Sequence, residues 1–221
     1  MKSKLAVTVT AKQPGRYVAH AKEKAAEWGL PFVDREKKMS LAPMLEAHAD
    51  AFLVLGGDGW TLSDGQGSLR FSPGMGAVRI RRLINTPDQS DDVLLKLAEL
   101  KAGDTVFDGT LGLAADALVC AFRVGDTGRV IGSEASLPIF ALVSEGLRAS
   151  GSQIEVRHGG AAQVLREFED HSLDVITLDP MFEVPKKSST AFEALRRFAV
   201  HQPLDEETLA HARRVAKRCV I

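Results

Sequence analysis

The run Leu178-Asp179-Pro180-Met181-Phe182 concentrates more usable chemistry than any other stretch of this chain. It follows Asp174-Val175-Ile176-Thr177, a short apolar stretch of the kind that forms a buried parallel strand. Open α/β sheets hold their ligands at the C-terminal ends of such strands. There the Asp179 carboxylate and the Pro180 carbonyl offer an amino group two acceptors, and Phe182 offers a flat apolar surface. That combination suits work on the exocyclic amine of a nucleobase, whose lone pair is delocalised into the ring. Accepting both N–H bonds lets the nitrogen pyramidalise and expose its lone pair, while stacking on Phe182 contributes about 1–3 kcal/mol. A base inside a duplex has to be flipped out first. Met181 reads as packing. Taken alone, Asp179-Pro180 is a strand end with a simple turn and Phe182 a core residue, so the neighbouring strand ends have to decide.

Three of them bear on the question. Asp108-Gly109-Thr110-Leu111-Gly112 follows the strand-like run Thr105-Val106-Phe107-Asp108 and precedes a helix. Glycine lets a backbone turn sharply and approach a ligand closely. A nicotinamide-binding loop usually carries three glycines around a pyrophosphate. This loop has two, and an acid precedes them. The acid disfavours a pyrophosphate and suits a cationic ligand with an amino group, such as S-adenosyl-L-methionine. The next strand closes on Gly132-Ser133-Glu134-Ala135, where a carboxylate can accept two hydrogen bonds from ribose hydroxyls. After the third strand come Arg157-His158-Gly159-Gly160-Ala161, small enough for an adenine to lie flat. Singly, Asp108 or Glu134 reads as a cap or a surface acid; in order, at successive strand ends, these signals reinforce one another.

The elements that would carry these residues alternate regularly from Asp91 onward. Helices are expected over Val93 to Leu100, Leu113 to Val124, Pro138 to Ala149, Ala161 to Phe168 and Leu204 to Lys217. Between them lie strands at Thr105 to Asp108, Arg129 to Gly132, Gln153 to Arg157 and Asp174 to Leu178, with a fifth beginning at Cys219. Strands joined by helical crossovers require a parallel sheet covered on both faces. The stretch Ile84-Asn85-Thr86-Pro87-Asp88 has turn chemistry and divides the chain. Two domains are therefore expected: residues 1–85, a small α/β unit for substrate recognition, and residues 86–221, the cofactor-binding unit. In the first, Leu5 to Thr10 reads as a strand, Gly15 to Trp28 as a helix, and Ser40 as the cap of a second helix. Ala51 to Leu55 and Trp60 to Leu62 form a hairpin about Gly56-Gly57-Asp58-Gly59, and a second glycine turn leads into Ser68 to Phe71.

Composition excludes several classes. With 221 residues, 45% hydrophobic and 26% charged, the chain is an ordinary globular protein, and its net charge of -1 provides no global field for nucleic acid. Any RNA contact must come from local groups: Arg79, Arg81 and Arg82; Lys186 and Lys187, the leading pair, in a Ser-rich loop; Arg196 and Arg197. The alternative for each is a solvated helix or loop face. His158 and His201 have no partners at metal-ligand spacing, so no metal is expected. Cys120 and Cys219 form no disulfide framework, and no run approaches the roughly 20 apolar residues of a membrane span, so a cytoplasmic protein is expected.

Asp108-Gly109-Thr110-x-Gly112, Glu134 at the next strand end and Asp179-Pro180-Met181-Phe182 together look like a class I S-adenosylmethionine-dependent methyltransferase. More closely, Asp108 to Ala117 with Leu178 to Phe182 resembles the family of small-subunit ribosomal RNA guanine-N2 methyltransferases. The Gly74-Met75-Gly76 turn, with Arg79, Arg81 and Arg82 after it, also fits, and the likeness covers roughly residues 70–221. The resemblance implies a Rossmann-like fold with a mainly parallel sheet, S-adenosylmethionine as cofactor, and ribosomal RNA or the small subunit as partner. It implies cofactor contacts at Ala115 and Asp116, at Glu134 and Ala135, at Gly160 and Ala161, and at Asp179. This chain departs from the family pattern in the leucines flanking Gly112, in Ala115 where an arginine is usual, and in Gly160 and Ala161 where hydroxyl residues are usual. Two alternatives stay open: an amino-methyltransferase acting on DNA or protein, and a non-catalytic cofactor-binding scaffold. Class I sheets close with a β-hairpin beyond the fifth strand, and this sequence stops at Ile221. A truncated sequence is expected, the alternative being another chain or element over the apolar edge.

Overall fold

The computed structural model of the chain describes residues 2–86, 92–180, 190–201 and 204–221. Its first half is built around β1 (Ser3–Val9), whose buried run from Leu5 to Val9 sits between α1 (Pro14–Glu27) and the next strand. A short α2 (Ala42–Ala47) leads into β2 (Ala49–Gly56), then β3 (Gly59–Ser63) and β4 (Ser68–Arg70). These make a four-stranded sheet in the order β1-β2-β3-β4. β1 and β2 run parallel, and β2–β3 is the expected hairpin, with Gly56 opposite Gly59. Ser40 does not cap α2; the N-cap is Leu41, with no side-chain bond.

Three features beyond the first sheet depart from the sequence reading. Gly74-Met75-Gly76 is not a turn but the start of α3 (Gly74–Asn85). Gly76 is there for closeness of packing. A Cβ would lie 3.0 Å from the Ala115 carbonyl oxygen and 3.3 Å from Leu118 Cβ, so the glycine is a notch in which two helices cross. Beyond α4 (Val93–Ala98), capped by Asp92, come β5 (Thr105–Asp108), α5 (Ala115–Val124), β6 (Arg129–Glu134), α6 (Leu137–Ala149), β7 (Glu155–His158), α7 (Ala161–Leu165) and β8 (Leu173–Thr177). Then comes an element the sequence did not announce, α8 (Thr190–Phe198), followed by α9 (Glu206–Val215) and β9 (Ala216–Val220). The last strand begins three residues earlier than expected. Lys217 and Arg218, which extend the helical pattern, lie instead on an edge strand, where they pair with Asp174 and Asp104.

β5 to β9 form an entirely parallel sheet in the order β7-β6-β5-β8-β9. The strand order reverses between β5 and β8, so a crevice opens at their C-terminal ends. One apolar cluster runs from Val7, Leu53 and Leu62 of the first sheet through Leu142 and Leu147 of α6 to Val106 and Val175 of the second. Where α6 meets the first sheet, Glu145 is only 5% exposed and pairs with Lys24 at 2.9 Å and Arg148 at 2.7 Å. Burial pushes the Glu145 carboxyl up, but the bonds from Arg148 and Lys24 outweigh it and hold it below its ordinary value. A Cβ at the next residue, Gly146, would overlap Phe71.

Candidate active site

The loop after β5 is held from both sides. Gly109 N–H donates to the Thr177 carbonyl at 2.9 Å and Leu111 N–H to the Ser133 carbonyl at 3.1 Å, so the backbone continues both neighbouring ladders before turning. The turn needs glycine twice. A Cβ at Gly109 would lie 2.5 Å from Leu178 Cδ2 and 2.9 Å from Ala161 Cβ, and Gly112 has φ +49°. Thr110 ties this loop to the acid–proline motif, its hydroxyl accepting from Asp179 N–H at 2.8 Å. Asp108 in turn accepts from Thr110 N–H at 3.1 Å.

Glu134 closes the next corner. One of its oxygens accepts from Gly112 N–H at 3.0 Å and the other from Ser136 N–H at 2.8 Å. Each oxygen keeps a lone pair for a further donor. The carboxylate thus stands in a fixed orientation beside Ala135.

A single cleft is lined by Gly109, Thr110, Gly112, Glu134 and Ala135, by Gly160 and Ala161, and by Asp179 and Pro180. These are residues from four strand ends. Three other singled-out positions do not line it. Asp108 is buried beneath the loop, and Ala115 and Asp116 lie in the first turn of α5. Asp116 is taken up by Arg79, which also makes a fork to Asp92 at 2.8 and 2.9 Å. Arg79, a candidate RNA contact from the sequence, therefore joins α3, α4 and α5 internally. Met181, Phe182, Lys186 and Lys187 lie outside the described residues. The far wall was not foreseen: Ile139 of α6, Leu195 of α8, Ala199 and Val200 just after it, Leu204 before α9 and Thr208 in it. Apart from Thr208 these are apolar groups that carry no chemical signature, and only the tertiary fold brings them here.

The cleft is strongly acidic. Burial, followed by the charges of Asp116, Glu134 and Asp179, pushes Asp108 up to about 7 against the pull of the Thr110 N–H. Asp179 is raised by burial and then by Asp116. Glu134 is raised by burial, partly offset by the backbone N–H groups of Ser136, Gly112 and Ala135. The two acids that line the cleft, Glu134 and Asp179, would repel a dinucleotide's pyrophosphate, whereas they suit a ligand with a cationic centre, an amino group and ribose hydroxyls. At Gly160 a Cβ would meet nothing within 4 Å, so the cleft is open on the side where small residues allow a flat base. The residues present fit S-adenosylmethionine: Glu134 for the ribose, Gly160 and Ala161 beside the adenine, Ile139 and Leu195 as apolar walls. Among the described residues no group of three or more His, Cys, Asp or Glu side chains could hold a metal ion. No described helix is long and apolar enough to cross a membrane.

An all-parallel sheet of this order, with its acids at the β5 and β6 ends, defines a Rossmann-like α/β fold of the class I methyltransferase type. Residues 63–221 match the family described as "Putative SAM-dependent methyltransferase", and the chain belongs to that family, whose cofactor is S-adenosylmethionine. It is 29% identical, over 97% of its length and 86% of the relative's, to "Uncharacterized protein YpiP" of Bacillus subtilis (strain 168). It is also 29% identical to the ribosomal RNA small subunit methyltransferase J of Pseudomonas syringae pv. syringae (strain B728a), over 80% of this chain and 66% of that protein. The protein of the same name from Shewanella amazonensis is 33% identical over 58% of this chain and 56% of its own length. The chain thus spans about two thirds or less of these two named enzymes. A solved S-adenosylmethionine-dependent methyltransferase from Aquifex aeolicus aligns with 67% of this chain and 69% of its own at 20% identity, with a TM-score of 0.41.

Proposed function

We propose that this methyltransferase modifies the exocyclic N2 amine of a guanine in ribosomal RNA, as a cytoplasmic enzyme whose partner is the small subunit or its RNA. One observation carries the reading: Asp179 and Pro180 face the same cleft as Glu134 and Gly160. The names of the relatives from Pseudomonas and Shewanella, together with the resemblance of Asp108 to Ala117 and Leu178 to Phe182, support ribosomal RNA as the substrate. Residues 1–85 then form the substrate-recognition unit and residues 86–221 the cofactor-binding unit.

When bound, S-adenosylmethionine supplies an electrophilic methyl on a sulfonium. Glu134 holds ribose hydroxyls on its remaining lone pairs, and Gly109, Thr110 and Gly112 line the cleft beside it. The Asp179 carboxylate and the Pro180 carbonyl accept the two N–H bonds of the amine, so that its lone pair is no longer shared with the ring. The hydrogen bond from Asp179 N–H to the Thr110 hydroxyl fixes the acid relative to the cofactor loop. Burial and the Asp116 charge raise Asp179, making its carboxylate a better acceptor for the proton the amine sheds. The stacking partner for the base that the sequence offers is Phe182. Positioning of the two reactants supplies most of the acceleration.

The test uses labelled S-adenosylmethionine and unmodified ribosomal subunits. Asp179→Ala should lower methyl transfer by about 100-fold or more while keeping most affinity for S-adenosylhomocysteine. Equal transfer by the variant would remove Asp179 from the mechanism. Transfer to DNA or protein but not to ribosomal RNA would move the substrate class. Cofactor binding with no transfer to any of the three would leave a scaffold.

A further inference from the structure

We propose that Asp64, in the turn between β3 and β4 of the first sheet, is a positioning residue for the methyl-donor cleft, acting through its ion pair with Arg197 of α8. This rests on reading the cleft as the cofactor site. α8 forms part of the cleft wall: Leu195 lines it, as do Ala199 and Val200 immediately beyond the helix. Two of the contacts on the helix's C-terminal half matter here. Ser136, next to Glu134, donates its hydroxyl to the Phe198 carbonyl at 2.7 Å. Arg197 places Nε 2.6 Å from one Asp64 oxygen and Nη2 3.3 Å from the other, a two-pronged grip.

The Asp64 end of that grip is built into its own turn. One of its oxygens accepts from Gln66 N–H at 2.9 Å and Gly67 N–H at 3.0 Å, and the Ser63 hydroxyl donates to the Gly67 carbonyl at 3.1 Å. Burial raises the Asp64 carboxyl, but Arg197 and the two backbone donors outweigh it and leave it below its ordinary value, so it is ionised at neutral pH. Gly67 leaves room for the guanidinium: a Cβ there would lie 2.8 Å from Arg197 Nη2. A side chain only 14% exposed, oriented by its own backbone, thus holds the C-terminal half of a helix whose Leu195 lines the cleft. The first sheet reaches the cofactor without lining its site.

Two variants separate positioning from folding. Asp64→Asn keeps an oxygen for the Gln66 and Gly67 N–H groups but loses the charge pair, and Arg197→Leu keeps most of the apolar stem. Each should weaken calorimetric binding of S-adenosylhomocysteine by roughly five- to tenfold and speed amide exchange in residues 193–199. Exchange in α6 should be unchanged. Arg197→Lys should fall between wild type and Arg197→Leu, and the double variant should bind no worse than the weaker single one. Unchanged affinity in either single variant, or penalties that add, would overturn the proposal. Wild-type protein that binds no S-adenosylhomocysteine would overturn the reading of the cleft, and the proposal with it. The exchange data would still report whether the pair restrains α8, which tells the two failures apart.

Discussion

Asp108 is the acid on which the other carboxylates of the site act, and it touches no open space. Its carboxyl lies under the loop, bonded to Thr110 N–H, with the acids of Asp116, Glu134 and Asp179 around it. Pushed up to about 7, it is protonated in the folded chain over a range where the unfolded chain has already ionised. Its contribution to stability is therefore complete below pH 3.8 and lost as pH rises through about 7. Asp108→Asn keeps an acceptor for Thr110 and removes the titration. Urea unfolding should show wild type losing about 2–3 kcal/mol more than the variant between pH 5 and pH 8. Parallel curves would show that Asp108 ionises normally. At this scale the sequence brought out Gly109, Thr110, Glu134, Gly160 and Asp179, which come from separate segments and face one cleft, whereas Asp108, Ala115 and Asp116 do not line it. It was silent on Leu195 and Thr208, which matter only through where the chain returns.

At the level of helices and strands, the β5 and β8 runs were legible because a buried parallel strand is a short apolar run bounded by turn residues, and both are. α3 was hidden by its own packing requirement. Gly76, a residue type that usually punctuates turns, is here a notch for α5. α8 was hidden by the serines before it, and β9 by two basic residues that continue a helical pattern yet lie on an edge strand. The notch makes its own prediction. Gly76→Ala puts a methyl 3.0 Å from the Ala115 carbonyl oxygen, so α3 must lift from α5. The cost should be about 1–3 kcal/mol in urea unfolding, with the grip of Arg79 on Asp116 loosened at the same time. An unchanged midpoint would mean that the crossing has slack.

Across the molecule, the two sheets share one apolar cluster and the ion pairs that the buried Glu145 makes with Lys24 and Arg148. Both tryptophans, Trp28 and Trp60, stand in the first half of the chain, edge to face at 5.1 Å. Their fluorescence reports on that half alone, whereas circular dichroism reports on all of it. The two thermal transitions should coincide. Saturating S-adenosylhomocysteine at about 100 times its Kd should stabilise both by about 2.7 kcal/mol, although neither indole lines the cleft. A tryptophan transition that ignores the ligand would mean that the halves melt separately.

α6 gives this union a mechanical meaning. Its 13 residues make a rod about 20 Å long. Near one end, Gly146 and Glu145 are gripped by Phe71 and Lys24 of the first half; at the other, Ser136 caps the helix beside Glu134. Such a rod behaves as a lever. A load at Phe71 or Lys24 would act on the same rigid helix whose capping residue bonds the carboxylate of Glu134.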